Sequence, residues 1–354
     1  MKRAWPMIWK YLMVVATSCM LAFVISQNDA DAQPVKETKA PAIDYSAKGG
    51  FAVSVSEQVW RDDSRKRDLP VKIYLPQSDD KAAIRFPVIL FSHGLGGSRE
   101  GGRLWAEHWA SHGYVVLAMQ HGGSDESLWK GKPPREIISS MKGGMTLTNL
   151  GLRVGDVRFV IDEVVRRTEA KEKYFASADA RRIGMSGHSF GAQTTLAVAG
   201  QKAGTLAGQS GLDTRVTSAI AFSPNARNKA NLARQFGDIR LPFMSITGTE
   251  DGSVLEDDTK YEHRMLPYEN MPAGGKYLVV FDGGDHMVFG GHELGGRRKE
   301  TERDREIQAD VKAGTLAFWN LTLKNDADAG KWLGTTKESS FKTVLAAKDT
   351  FAAK

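Results

Sequence analysis

The chain has 354 residues, 41% hydrophobic and 25% charged, an ordinary globular balance with length for one large α/β domain or two smaller ones and a sizeable core. Its net charge of +6 is a mild basic excess without a basic stripe interleaved with aromatics, which argues against nucleic acid as a partner. The one cysteine, Cys19, sits in an N-terminal apolar run, so disulfides, a cysteine nucleophile and a thiolate metal site are excluded from everything that follows it.

Met1-Lys2-Arg3 is basic, Tyr11 to Ile25 is apolar, and Ala30-Asp31-Ala32 has the small-x-small pattern of a cleavage site. This predicts an export signal over 1–32 and a periplasmic or extracellular protein. The competing reading, a retained anchor, asks for roughly 20 apolar residues. The run is shorter, and no stable membrane span is expected after cleavage. Ala16-Thr17-Ser18 is a poor lipidation context for Cys19. Residues 33–50 lack periodicity and predict a flexible linker, with order beginning near Phe51.

From there Phe51 to Val55, Val59 to Asp62 and Leu69 to Pro76 alternate as antiparallel strands opening a sheet. Phe86 to Ser92 is a continuous apolar run, the pattern of a strand buried on both faces, and Tyr114 to Met119 is another, with helical spacing over Leu104 to His112 between them. Residues 121–150 form a long connection, polar overall, before the helix marked by Leu152, Val157, Val160, Ile161, Val164 and Val165. Strands follow at Val216 to Phe222, Leu241 to Thr247 and Lys276 to Phe281, then a helix from Asp304 to Leu323. Alternation of this kind predicts an α/β protein: a doubly wound, mostly parallel sheet with helices on both faces and antiparallel strands at its N-terminal edge. The ordered domain is expected over 51–324, with 325–354 a polar C-terminal extension.

Within this frame Gly187-His188-Ser189-Phe190-Gly191 fits Gly-x-Ser-x-Gly, the turn that holds a nucleophilic serine between a strand and a helix. Glycine is needed on both sides because a side chain there would strike the neighbouring strand or helix. A serine hydroxyl needs a base, and the base needs a carboxylate to fix its tautomer. Two segments just past predicted strands supply them: Gly248-Thr249-Glu250-Asp251-Gly252 and Asp282-Gly283-Gly284-Asp285-His286. Strand ends are where open α/β sheets build sites. His286 is the base and Asp251 the acid, with Glu250 its rival; Asp285 shapes the histidine loop. The backbone N–H groups of Phe190 and of Leu95, in Ser92-His93-Gly94-Leu95-Gly96-Gly97, are the expected oxyanion donors. His93 braces that loop.

Of the eight histidines, His108, His112 and His263 read as surface groups, His121 as either cleft lining or structural, and His188 as the variable residue of the turn. His292-Glu293 opens a zinc-helix motif that fails at Gly296, so neither a metal nor a cofactor is expected. Arg297 to Arg305 alternates in sign like a solvated helix face. Trp105, Trp109 and Trp129 read as core or cleft wall.

These features resemble the α/β-hydrolase superfamily, in the branch of dienelactone hydrolase-like proteins, platelet-activating-factor acetylhydrolases and cutinase-like polyester hydrolases. The resemblance spans about Val59 to Leu323 and rests on Trp60-Arg61-Asp62 with Arg65 and Arg67, Phe91 to Gly97, Ala110 to Val116 and Gly187 to Gly191. It implies a serine-acid-histidine order like that of Ser189, Asp251 and His286. Dienelactone hydrolases proper use cysteine where this chain has Ser189, and the acetylhydrolases carry their acid where it has Phe222-Ser223-Pro224-Asn225. The implied activity is that of an exported serine esterase, and the polar 121–150 connection, which offers no long apolar lid, points to short-acyl or accessible polymeric esters. Two alternatives stay open: a serine peptidase or amidase, and a non-catalytic binding protein of the same fold.

Overall fold

A computed structural model describes residues 43–78, 84–202, 210–226, 229–253, 259–292, 299–335 and 339–354. The expected leader 1–32 with Cys19, the linker up to residue 42, residues 293–296 of the zinc-like motif and 297–298 of the charged cluster lie outside the described residues. From Asp44 onward the chain forms one compact unit.

A charged turn joins β1 (Val53–Asp62) and β2 (Arg67–Pro76) into an antiparallel hairpin. After it the chain alternates: β3 (Phe86–Ser92), α1 (Arg103–Ser111), β4 (Val115–Met119), α2 (Pro134–Gly144), α3 (Leu147–Glu169), β5 (Ala178–His188), α4 (Phe190–Val198), β6 (Val216–Phe222), α5 (Leu232–Phe236), β7 (Phe243–Glu250), α6 (Tyr261–Asn270), β8 (Lys276–Asp285), α7 (Glu302–Lys324), α8 (Ala327–Leu333), α9 (Ser340–Val344) and β9 (Thr350–Ala353). The sheet order is β1-β2-β4-β3-β5-β6-β7-β8-β9. Pairing is parallel from β4 through β8 and antiparallel at both edges.

The period-2 alternation of buried strands sorts side chains into two layers. On one side Val115, Leu117 and Met119 of β4 and Val88 and Leu90 of β3 meet Val157, Val160 and Val164 of α3. On the other, Val116, Ala118, Ile89 and Phe91 meet Trp105 and Trp109 of α1 and Trp319 of α7. Trp105 and Trp109 are therefore core.

Residues 44–50 differ from the flexible-linker expectation. Tyr45 is buried with its ring 4.7 Å from that of Trp332, and Gly49 and Phe51 donate to Ser111 Oγ and O at 3.0 and 2.9 Å. His108, expected on the surface, is buried beneath this segment and meets the Tyr45 carbonyl at 3.0 Å, while burial pushes its pKa down to about 3. His112 is half-buried and meets the Ala47 carbonyl at 2.9 Å. The reason is tertiary: the segment finds unpaired groups at the C-terminal end of α1 that a sequence pattern does not display.

The C-terminal extension 325–354, polar apart from Trp332-Leu333 and Phe341-Val344-Leu345, joins the sheet and the core. β9 pairs with β8 and closes that edge of the sheet, and Leu333, Phe341 and Phe351 are buried in the principal core. Covering an exposed strand edge and an apolar helix face outweighs the polar composition of the segment.

Candidate active site

The turn between β5 and α4 is strained: Ser189 has φ 57° and ψ −113°, a conformation rare for a residue with a Cβ. The site is crowded enough to impose it. A Cβ at Gly191 would lie 1.9 Å from the Ser92 carbonyl oxygen, and one at Gly187 2.4 Å from the Gly191 carbonyl oxygen. The Ser189 N–H donates to the Phe222 carbonyl at 2.9 Å, tying the turn to β6.

The ends of β7 and β8 bring the other two candidates to this turn. The His286 Nε2 and Ser189 Oγ are 2.9 Å apart, and His286 Nδ1 is 2.6 Å from Asp251 Oδ1. With its Nδ1–H donated to the carboxylate, the imidazole presents an Nε2 lone pair to the serine hydroxyl. Asp285 accepts the N–H groups of Met287 and Val288 at 3.0 and 2.9 Å and so shapes the turn that carries His286. Asp251 is fully buried, whereas its rival Glu250 is exposed. Burial pushes the Asp251 carboxyl up, but the charge and hydrogen bond of His286 and the charge of Arg264 override it and hold the group below the ordinary carboxylate range. Thr247 Oγ1 donates to the other carboxylate oxygen at 2.8 Å.

Three groups that sequence reading left aside hold this arrangement. Arg264 of α6 is buried against Asp251, with Nε 2.9 Å from Oδ1. His188, the variable residue of the turn, donates its Nε2–H to the His286 carbonyl at 2.9 Å, its ring 4.6 Å from that of His286. Burial, then the neighbouring His286, keeps His188 well below its ordinary pKa and neutral. Arg153 of α3 is fully buried and donates to the carbonyls of His93 and Gly94 at 2.6 and 3.3 Å. A signal existed for Arg153: it falls at helical spacing among Leu150, Val154 and Val157, on the core face.

Arg153 fixes the loop after β3. Its guanidinium also lies 4.4 Å over the Phe190 ring, and burial lowers its pKa to about 9, still cationic at neutral pH. His93 Nε2 accepts the His121 N–H at 3.0 Å, and Trp129 Nε1 donates to the Gly96 carbonyl at 2.6 Å. A Cβ at Gly94 would lie 3.5 Å from Ser189 Cβ, so this loop passes directly against the serine. Among the described residues, no group accepts the N–H of Leu95 or of Phe190. Two amides beside a serine, held by a buried cation and not otherwise bonded, can receive an oxyanion.

Beneath the loop, Asp156 is fully buried and accepts Arg65 at 2.9 Å, Arg67 at 2.8 Å and His121 Nδ1 at 2.9 Å. His121 Nε2 meets Ser92 Oγ at 2.9 Å, so His121 is structural and does not line a cleft. The Arg65 and Arg67 side chains thereby clamp the β1–β2 hairpin to α3. The 121–150 connection is less polar at its surface than its composition suggests, since Trp129, Ile138 and Leu147 are exposed. Among the described residues no cluster of three or more His, Cys, Asp or Glu could hold a metal ion.

Residues 69–130 match the family of platelet-activating factor acetylhydrolase, isoform II. The chain is similar to that family of α/β-hydrolase-type serine esterases over the stretch from β2 through Trp129, which contains the loop after β3, and the match indicates a hydrolase of serine esterase or lipase type. The stretch ends before Ser189, Asp251 and His286. No curated protein matches the chain.

Proposed function

We propose that the protein is an exported serine esterase that cleaves short-acyl or accessible polymeric esters through an acyl-enzyme. Ser189 Oγ attacks the ester carbonyl while His286 Nε2 takes its proton. The Leu95 and Phe190 amides receive the oxyanion. The tetrahedral adduct collapses as His286 returns the proton to the leaving alcohol, and a water activated by the same imidazole then releases the acid.

The observation that carries this reading is the continuous relay from buried Asp251 through His286 to Ser189, at 2.6 and 2.9 Å. Supporting it, the family matched over 69–130 is named for an acetylhydrolase, a short-acyl chemistry. Trp129, which donates to the Gly96 carbonyl of the loop after β3, is exposed, which suits esters presented on a surface or a polymer. Export rests on the basic start, apolar run and Ala30-Asp31-Ala32 of the sequence; N-terminal sequencing of the secreted protein, expected to begin at Gln33, tests it.

The test of activity is hydrolysis of p-nitrophenyl esters from acetate to palmitate beside Ser189→Ala. Activity is expected to fall with chain length and to drop by about 10⁴-fold or more in the variant. A folded Ser189→Ala protein with full activity refutes the reading.

A further inference from the structure

No step above uses Arg264, yet it is 3% exposed and wraps the acid. Its Nε lies 2.9 Å from Asp251 Oδ1 and donates to the Asp251 carbonyl at 2.6 Å. One terminal nitrogen, Nη1, donates to the Ser223 carbonyl at 2.9 Å. The other, Nη2, donates to the Gly252 carbonyl at 3.0 Å and comes within 3.2 Å of His286 Nδ1. The oxygen that Arg264 approaches is the same Oδ1 that accepts from His286.

A cation in this place acts in two ways. It keeps a buried carboxylate ionised and turned toward the imidazole, because its rigid fork is fixed by three carbonyls from the segments after β6 and β7. It also offsets the carboxylate charge felt by His286 and stands against the ring edge that turns positive when the proton is taken. The remaining groups facing His286 do not duplicate this effect. Asp251 is the anion being offset, Ser189 is neutral, His188 is neutral with His292 beyond it, and Asp285 on the histidine's own strand is engaged by the Met287 and Val288 amides.

Resting on the esterase reading, we propose that Arg264 is a positioning residue that holds Asp251 against His286. The three carbonyls that seat the guanidinium belong to Asp251, Gly252 and Ser223, so it also binds the end of β7 to the end of β6.

The test is kcat and KM, measured separately on p-nitrophenyl acetate, for the full chain, Arg264→Met and Arg264→Lys. The Arg264→Met variant removes both the charge and the fork. At neutral pH kcat is expected to fall about 100-fold with KM within a few-fold. Arg264→Lys, which keeps the charge without the fork, is expected to recover kcat only in part. A folded Arg264→Met protein with wild-type kcat overturns the proposal.

A cycle keeps it testable if that variant does not fold. Asp251→Asn leaves a buried cation facing His286, so Asp251→Asn/Arg264→Gln is expected to be about 10-fold more active than Asp251→Asn alone. A further loss in the double variant overturns the proposal equally. Failure of the esterase reading is a separate result, activity surviving in Ser189→Ala.

Discussion

Replacing Gly191 by alanine tests how closely the serine turn and the oxyanion loop are coupled. The added Cβ would lie 1.9 Å from the Ser92 carbonyl oxygen and 2.9 Å from the His93 carbonyl oxygen, and both partners are backbone. Relief requires the end of β3 and the start of α4 to part by about 1 Å, because such contacts are not tolerated in packed interiors. Those segments carry the Leu95 and Phe190 amides. Overpacking of this kind costs about 1–3 kcal/mol, which lowers Tm by roughly 2–5 °C in a domain of this size. A displacement of about 1 Å at the donors is expected to reduce kcat about 100-fold. The assay pairs thermal melting with p-nitrophenyl acetate turnover, and Gly143→Ala, whose Cβ meets nothing within 4 Å, is the control. A Gly191→Ala enzyme with wild-type kcat and Tm refutes the reasoning.

Two further outcomes follow from the structure. His121 is buried and its pKa is lowered to about 4, below the ordinary 6.5. Folding therefore favours its neutral form, and the stability it contributes is complete above pH 6.5 and lost as pH falls toward 4, about 3 kcal/mol at most. Urea unfolding at pH 7.5 and pH 4.5 measures this; equal stability at the two values contradicts it. Deleting 325–354 uncovers the edge of β8 and removes Leu333, Phe341 and Phe351 from the core, a loss of about 5–9 kcal/mol. That approaches the whole stability of a domain, so the truncated protein is expected to be insoluble, and a soluble, cooperatively melting product contradicts the structural role of the C-terminus.

Much of the α/β architecture is legible in the chain because it is written locally. Continuous apolar runs such as Phe86–Ser92 announce a strand buried on both faces, and the alternation of strands with amphipathic helices leaves few sheet topologies. The glycines about Ser189 are legible for the same reason, since a tight turn against packed neighbours excludes a Cβ within a few residues of sequence. The polar character of 325–354 shows Trp332-Leu333 and Phe341-Val344-Leu345 as apolar footholds but hides the closing strand with Phe351, because a short edge strand needs little apolar sequence when its partner supplies the hydrogen bonds.

The sequence by itself points to Ser189, His286 and Asp251, with Glu250 as the rival acid, for a candidate site at the ends of strands. Only the tertiary structure decides that Asp251 turns inward while Glu250 faces solvent, for neighbours on a strand end differ by which side of the sheet they meet. The same is true of Arg264 and Arg153. Their spacing marks core-facing positions on α6 and α3, but a buried guanidinium is tolerable only where carbonyls and carboxylates converge on it, and those acceptors come from β-strand ends and loops far away in the chain. Pairings that join residues 97 and 35 positions apart, as His286 joins Ser189 and Asp251, are fixed by the order of strands in the sheet and by no local pattern.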